Sequence, residues 1–269
     1  MSSEHNPWTR SVVFVGNATV VIRWDDITVM TDPNFLHRGQ FAYLGKGLVS
    51  RRKEEPAFGV EETPRLDGIV LSHLHGDHFD RVARRGLDRG LPVVTTCQAA
   101  RRMRGFGFDR SVGLEVWQDW VLNRGSTWMR VTAVPGRHGP RLLHRLLPPV
   151  MGSMIEFGPQ GAEVEIRIYV TGDTLMFDGI KEIPDRFPDI DVALIHLGGT
   201  TLPGGVMVTM DGRQGADVVQ AVGTPRVSPV HFDDYGVFKS PLGDFTREMS
   251  GRGLLDRIRF LRRGQESPL

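Results

Sequence analysis

The sequence predicts an α/β protein in which two β-sheets face one another with helices on the outside. Three observations carry that prediction: a meander of short strands at the start, strand-like and helix-like stretches alternating in both halves, and apolar strands that repeatedly end on a ligand-type side chain. Val12 to Val15, Ala18 to Trp24 and Ile27 to Met30 are β-branched, apolar runs, separated by Gly16-Asn17 and Asp25-Asp26 turns. A Gly-rich and charge-rich segment from about Asn34 to Arg65 follows. Its aromatic residues Phe35, Phe41, Tyr43 and Phe58 suggest an ordered excursion that overhangs a site.

After the run Gly68-Ile69-Val70-Leu71, helical spacing over Arg81 to Asp88 precedes a strand over Pro92 to Thr96. A helix over Gln98 to Arg104 comes next, then strands to about Val134. The second half repeats the rhythm, with strands over Ser153 to Phe157 and Val164 to Thr171, a helix near Asp178 to Phe187, and a strand over Asp191 to Leu197. Asp211 reads as the N-cap of a helix through Val222, Arg226 to Val230 as a buried strand, and Leu254 to Arg262 as a C-terminal helix. With no literal repeat and no low-complexity tract, the expectation is one domain over residues 1–269.

The 269 residues are 40% hydrophobic, enough for a substantial core, and 33 basic residues nearly cancel 32 acidic ones. A formal net charge of +1 argues against a nucleic-acid or membrane-surface partner, so a small-molecule substrate, anionic in one reading, is expected. Cys97 is the only cysteine, which excludes an intramolecular disulfide and a thiolate-rich zinc site and fits a reducing cytoplasm. No apolar window is long enough to span a membrane, and the first residues contain no apolar leader, so a cytoplasmic protein is expected; oligomeric state is not legible.

The chemistry concentrates in His73-Leu74-His75-Gly76-Asp77-His78, which puts three imidazoles and a carboxylate on one turn. Side chains at i and i+2 of an extended strand share a face, so His73 and His75 converge, and Gly76 lets the backbone turn to bring Asp77 and His78 close. His138, Asp173 and His231 repeat the pattern, each just after an apolar strand and beside glycine or proline. A histidine and carboxylate set without cysteine leaves positions open for water and substrate, which is the catalytic kind of site.

The His-x-His-x-Asp-His run, followed by His138, the Thr171-Gly172-Asp173-Thr174 stretch and His231, resembles the metallo-β-lactamase fold superfamily over roughly Val12 to Phe245. Thr31-Asp32-Pro33-Asn34-Phe35 is similar to the branch that holds ascorbate-6-phosphate lactonase and the N-acyl-phosphatidylethanolamine phospholipase D enzymes. The resemblance implies a four-layer αββα sandwich of two mixed sheets. It also implies two divalent ions, zinc first with manganese or iron as alternatives. His73, His75 and His138 would hold one, Asp77, His78 and His231 the other, with Asp173 bridging. A shared hydroxide would then cleave an ester-like bond, a phosphodiester or a lactone, and Asp77 would shuttle a proton to the leaving group.

Other readings come from the same residues. Oxygen-reducing members of the fold resemble a pattern with Glu in place of the second histidine, which His75 opposes, and a nucleic-acid-processing hydrolase is disfavoured by the balanced charge. A decayed, non-catalytic scaffold would have lost ligands, and none is lost. Asp32 is either a turn residue or an acceptor that orients a ligand histidine; His196 either caps a strand or faces substrate. His196-Leu197-Gly198-Gly199 and the inserted Thr200 to Val208 depart from the usual turn and should reshape the pocket wall. Arg141 to Pro149 mixes basic and apolar residues beside His138, as a substrate contact or a solvated turn, and Arg51-Arg52-Lys53 reads as solvated surface charge.

Overall fold

The computed structural model describes residues 9–45, 47–140, 147–202 and 204–269. In chain order it forms β1 (Arg10–Gly16), β2 (Thr19–Trp24) and β3 (Ile27–Thr31), then the short strands β4 (Phe41–Tyr43) and β5 (Val49–Arg51). β6 (Gly68–Val70), α1 (Arg81–Gly86), β7 (Val93–Thr96), α2 (Cys97–Gly105) and β8 (Ser111–Leu114) follow. The second half holds β9 (Asp119–Arg124), β10 (Thr127–Val134), β11 (Gly152–Pro159), β12 (Ile166–Val170), α3 (Asp178–Lys181), α4 (Ile183–Arg186) and β13 (Val192–His196). A hairpin of β14 (Thr201–Leu202) and β15 (Val206–Met207), then α5 (Gly212–Val222), β16 (Arg226–Val230), α6 (Leu242–Gly251) and β17 (Glu266–Pro268) complete it.

One sheet runs β17-β1-β2-β3-β6-β7-β8 and the other β16-β13-β12-β11-β10-β9. Both are mixed: β1 to β3 pair antiparallel while β3, β6, β7 and β8 pair parallel. In the second sheet β16, β13 and β12 are parallel and β11, β10 and β9 antiparallel.

Alternation along each strand explains the layers. Val20 and Ile22 of β2 meet Ile155 and Ile168 in the core between the sheets, whereas Val21 turns outward to the face that Ala83 of α1 and Met103 of α2 cover. On the other side Tyr169, Ala193 and Ile195 face out under Ile180 of α3, Val218 and Val219 of α5 and Phe245 of α6. Strands buried on both faces read as continuous apolar runs, which is why β1, β2, β6 and β13 were visible in the sequence. The αββα sandwich is as expected.

Three expectations need correction. Leu254 to Arg262 forms only one 3-10 turn, Leu255–Arg257, because its backbone is drawn alongside β16: Ile258 bridges Val227, and Arg259 N donates to Val227 O at 2.8 Å. The helix of this region is α6, which starts twelve residues earlier and buries Phe245 and Met249. The predicted helix near Asp178 to Phe187 splits into α3 and α4, with Pro184 in the first turn of α4, where its missing N–H costs nothing. Arg52 is not solvated charge: its side chain is fully buried, pairs with Asp234 at 3.0 Å and donates to Asn34 O and Oδ1. Of the Arg141 to Pro149 segment, residues 141–146 lie outside the described residues.

Candidate metal centre

Two antiparallel steps, β12 to β11 to β10, return β10 to the direction of β12, so β10, β12, β13 and β16 all end at one edge of the second sheet. β3 and β6, parallel to each other, end at the facing edge of the first. The loops leaving these strands carry Asp32 after β3, His73 to His78 after β6, His138 after β10, Asp173 after β12 and His231 after β16, with His196 closing β13. The seven sequence-predicted ligands therefore meet between the sheets on rigid strand ends.

The backbone there is tightly held. Asn17, in the β1–β2 turn, donates through Nδ2 to Asp77 O at 2.7 Å and accepts His231 N at 2.9 Å on its carbonyl. His231 itself sits at φ 60, a left-handed conformation that is strained for a histidine and common at functional sites. Gly76 has no room for a side chain, since a Cβ would lie 2.7 Å from Tyr43 O, and its N–H donates to that oxygen at 2.9 Å. The 34–65 excursion thus closes over the ligand turn, as expected. Asp80 secures it: Oδ1 caps α1 through Val82 N and Ala83 N, and Oδ2 accepts from Phe35 N, Leu36 N and Asn34 Nδ2.

Among the described residues three groups of ligand atoms form, two of them from the predicted ligands; the third, Asp32, His78 and His196, shares His78. In the first, His73, His75 and His138 are buried, and His73 Nε2 lies 2.9 Å from His75 Nδ1. His138 Nδ1 donates to Val208 O at 3.0 Å, which leaves Nε2 with its lone pair for the site. Burial, reinforced by neighbouring imidazoles, holds His73 well below the usual histidine range and pulls His75 down to about 4; burial also lowers His138. These three rings are neutral at pH 7.

In the second group, Asp77, His78, Asp173 and His231 are equally buried. His78 Nε2 is 3.2 Å from Asp173 Oδ2 and 3.8 Å from Asp77 Oδ2, and His231 Nε2 is 3.4 Å from Asp77 Oδ2. Burial opposes charge on every member, yet the pairs outweigh it. Asp173, Asp77 and Asp32 hold His78 well above the usual range, Asp173 and Asp77 raise His231, and the imidazoles keep both carboxylates low.

Asp32 is the orienting acceptor of the two readings above. Its Oδ2 lies 3.2 Å from His78 Nδ1, while Oδ1 accepts from Ser72 N at 2.7 Å and Ser72 Oγ at 3.0 Å. Ser72 Oγ in turn lies 3.0 Å from His73 Nδ1. His196 is buried, stacks on His78 with ring centroids 6.0 Å apart, and points Nε2 at Asp32 Oδ2 from 3.5 Å. It stands behind the ligands, not toward substrate. The sequence reading missed Ser72, Asn17 and Asp80, although a serine directly before His73 and an aspartate heading a helix two residues after His78 were signals for two of them.

The donor set fits divalent cations. His75 Nε2, Asp77 Oδ1, His78 Nε2 and Asp173 Oδ1 are buried without a hydrogen-bond partner, an expensive arrangement for a purely structural cluster. A space of about 30 Å³ opens between His75, Asp77, His138 and Asp173. Imidazole and carboxylate donors without thiolate suit zinc, manganese and iron alike.

A family model described as the Beta-lactamase superfamily domain matches residues 28–232. The chain is 28% identical over 249 residues to a metal-dependent hydrolase of Exiguobacterium sp., covering 91% of this chain and 96% of that protein. Among solved structures, the isothiocyanate hydrolase from Delia radicum gut bacteria matches with a TM-score of 0.80 at 17% identity, over 96% of this chain and 99% of the other. A metallo hydrolase of Ignicoccus hospitalis matches at 0.70 and 17%, over 96% and 97%. At such identities these two show the fold alone.

Proposed function

The chain belongs to the β-lactamase superfamily and is a metal-dependent hydrolase, and on that premise we propose that it works through two divalent ions to cleave an ester-like bond, a phosphodiester or a lactone, in a small molecule. The observation that carries this reading is the split of one buried cluster into an imidazole trio and a carboxylate-bearing set, each with the atoms for one ion. His73, His75 and His138 would hold the first ion, Asp77, His78 and His231 the second, and Asp173 both, since its Oδ2 lies 4.0 Å from His73 Nε2 and 3.2 Å from His78 Nε2. Bound ions supply Lewis acidity and bring the ionisation of water down from about 15.7 to about 7.

The chain's own residues orient and move protons. Val208 O and Ser72 Oγ fix the rings of His138 and His73 through their Nδ1 atoms, so that each presents Nε2. Asp77 Oδ1, buried and free of hydrogen bonds, is the atom for returning a proton to the leaving group. Thr31-Asp32-Pro33-Asn34-Phe35 supports placement in the branch with ascorbate-6-phosphate lactonase and the phospholipase D enzymes, because its aspartate backs His78. The lone Cys97 suits a cytoplasmic setting, and among the described residues no helix is long and apolar enough to cross a membrane.

Metal analysis of protein purified without chelator, together with a panel of phosphodiester, lactone and thioester substrates, tests the reading. The expected result is two ions per chain and chelator-sensitive turnover that rises with pH through an ionisation near neutrality. A folded, fully loaded sample with no metal near these residues, or chelator-resistant turnover, overturns it.

A further inference from the structure

A cleft of about 990 Å³ opens beside the ligand turn, at the upper end of the size range of small-molecule sites. Its walls come from five separate segments: Leu44 and Leu48 between β4 and β5, Leu74 and Phe79 of the ligand turn, Phe106 after α2, Leu147 before β11, and Leu202 of the β14–β15 hairpin. Leu44, Leu48, Leu147, Leu202 and His75 also line the small space among Asp77, His138 and Asp173. The cleft therefore adjoins the metal centre. Among the described lining residues Arg102 is the only one with a fixed charge, and Gln98 the only side-chain amide. Another cleft, about 460 Å³ around Thr63 to Asp67 and Arg110, contains none of the ligand residues in its lining.

From this we infer that the substrate carries an apolar chain or ring next to its scissile bond, and that Leu44, Leu48, Phe106 and Leu202 select for it. The inference rests on the hydrolase reading above and deepens it. Apolar walls gain free energy by excluding water from a ligand's hydrocarbon, whereas a polyanion would need several cations where the described lining residues offer Arg102 alone. The excursion between β3 and β6, the end of α2 and the inserted hairpin after β13 thus each supply a selecting side chain. Gly45 fits the same role: a Cβ there would stand 3.5 Å from His75 Nε2 and narrow the junction.

The test uses the full chain loaded with metal. Calorimetric titration with n-alkylphosphonates from methyl to octyl, below their micelle concentrations, measures binding; γ-lactones and phosphodiesters bearing the same alkyl series measure turnover. Binding should tighten about three- to fourfold per methylene until the cleft is filled, and kcat/KM should rise with it. Leu202→Asp and Phe106→Ser should each flatten the chain-length dependence while circular dichroism stays that of the native protein. A flat binding series in the unmodified protein overturns the inference, as does a full slope retained in both folded variants. A rising binding series with no turnover of any homologue leaves the apolar cleft standing and rejects the ester-like bond instead.

Discussion

The two halves of the metal centre sit side by side at equal burial, yet the chain prepares them in opposite ways. Behind the imidazole trio stand neutral partners, Ser72 Oγ for His73 and Val208 O for His138, and its rings are driven neutral by burial. The other half contains two carboxylates and has a third, Asp32, behind His78, so its rings favour the charged form. Burial is the largest influence on these rings and lowers all of them; the carboxylates around His78 and His231 outweigh it there, although His231, like His138, has only a backbone carbonyl, Leu197 O, behind its Nδ1. The trio can accept a cation at neutral pH without losing a proton; the carboxylate-bearing half must exchange protons on His78 and His231 for metal charge.

The largest way to break this comparison is to remove what both halves share. Asp173→Asn should lower metal content from two ions toward one or none, because Asp173 faces His73, His78 and His231 alike and its loss leaves two cations to repel across a less shielded gap. Activity should fall by more than the ~10²- to 10⁴-fold expected for losing a proton-transfer group alone. Atomic absorption with circular dichroism checks it, and unchanged stoichiometry sinks the bridging role. Asp77→Asn should be milder for metal, touching one half only, and should cost about 10²- to 10⁴-fold in turnover. Wild-type turnover in that variant would remove Asp77 from the mechanism.

pH separates the halves without mutation. In metal-free protein the depressed histidines of the trio bind fewer protons folded than unfolded, so their contribution is present above the unfolded value of 6.5 and is lost as pH falls toward about 4, the value for His75. That single shift corresponds to roughly 3 kcal/mol. His78 and His231 are raised, so their contribution is complete below 6.5 and is lost as pH climbs through their folded values. Denaturant unfolding across pH 4 to 9 should therefore show a stability loss on both flanks. His75→Gln should shrink the acid flank and leave the alkaline one; equal changes on both flanks would mean the halves do not titrate separately.

How much was legible follows from the same contrast. Ligands that follow apolar strands declare themselves in sequence, because a histidine or aspartate at the end of a β-branched run beside glycine stands out against its neighbours; all seven were found that way and the structure brings them together. The fold was legible for the corresponding reason, strands buried on both faces. Supporting groups were not. Asn17 acts through backbone contacts that leave no trace in the sequence, Ser72 and Asp80 were marked only by their places beside the ligand run, and Arg52 looked like surface charge because nothing local reveals that Asp234, 182 residues later, pairs with it. The C-terminal segment misled for a related reason: Leu254 to Arg262 has helical spacing, but tertiary pairing with Val227 overrides it.

The finest probe of the comparison is Asp32→Asn, which keeps size and removes only the charge behind one half. For His78 Nε2 to present a lone pair, its Nδ1 must carry the proton, and the groups facing it are Asp32 Oδ2 at 3.2 Å and Ser72 Oγ at 3.3 Å. An asparagine can still accept from Ser72 N and Oγ through its carbonyl oxygen, which turns its NH2 group toward His78 Nδ1, donor against donor. The ring would keep only Ser72 Oγ, 3.3 Å away and shared with His73, to hold its proton on Nδ1, so the Nε2 tautomer that loses the ligand atom should gain population. His73 and His138 have other partners and should be untouched. Metal titration should resolve two steps in the native protein, with one weakened about 10- to 100-fold in the variant and the other within error. Nitrogen chemical shifts of His78 should report the tautomer change. Equal weakening of both steps, or an unchanged His78 tautomer, would show that the charge behind the ring does not set the character of its half.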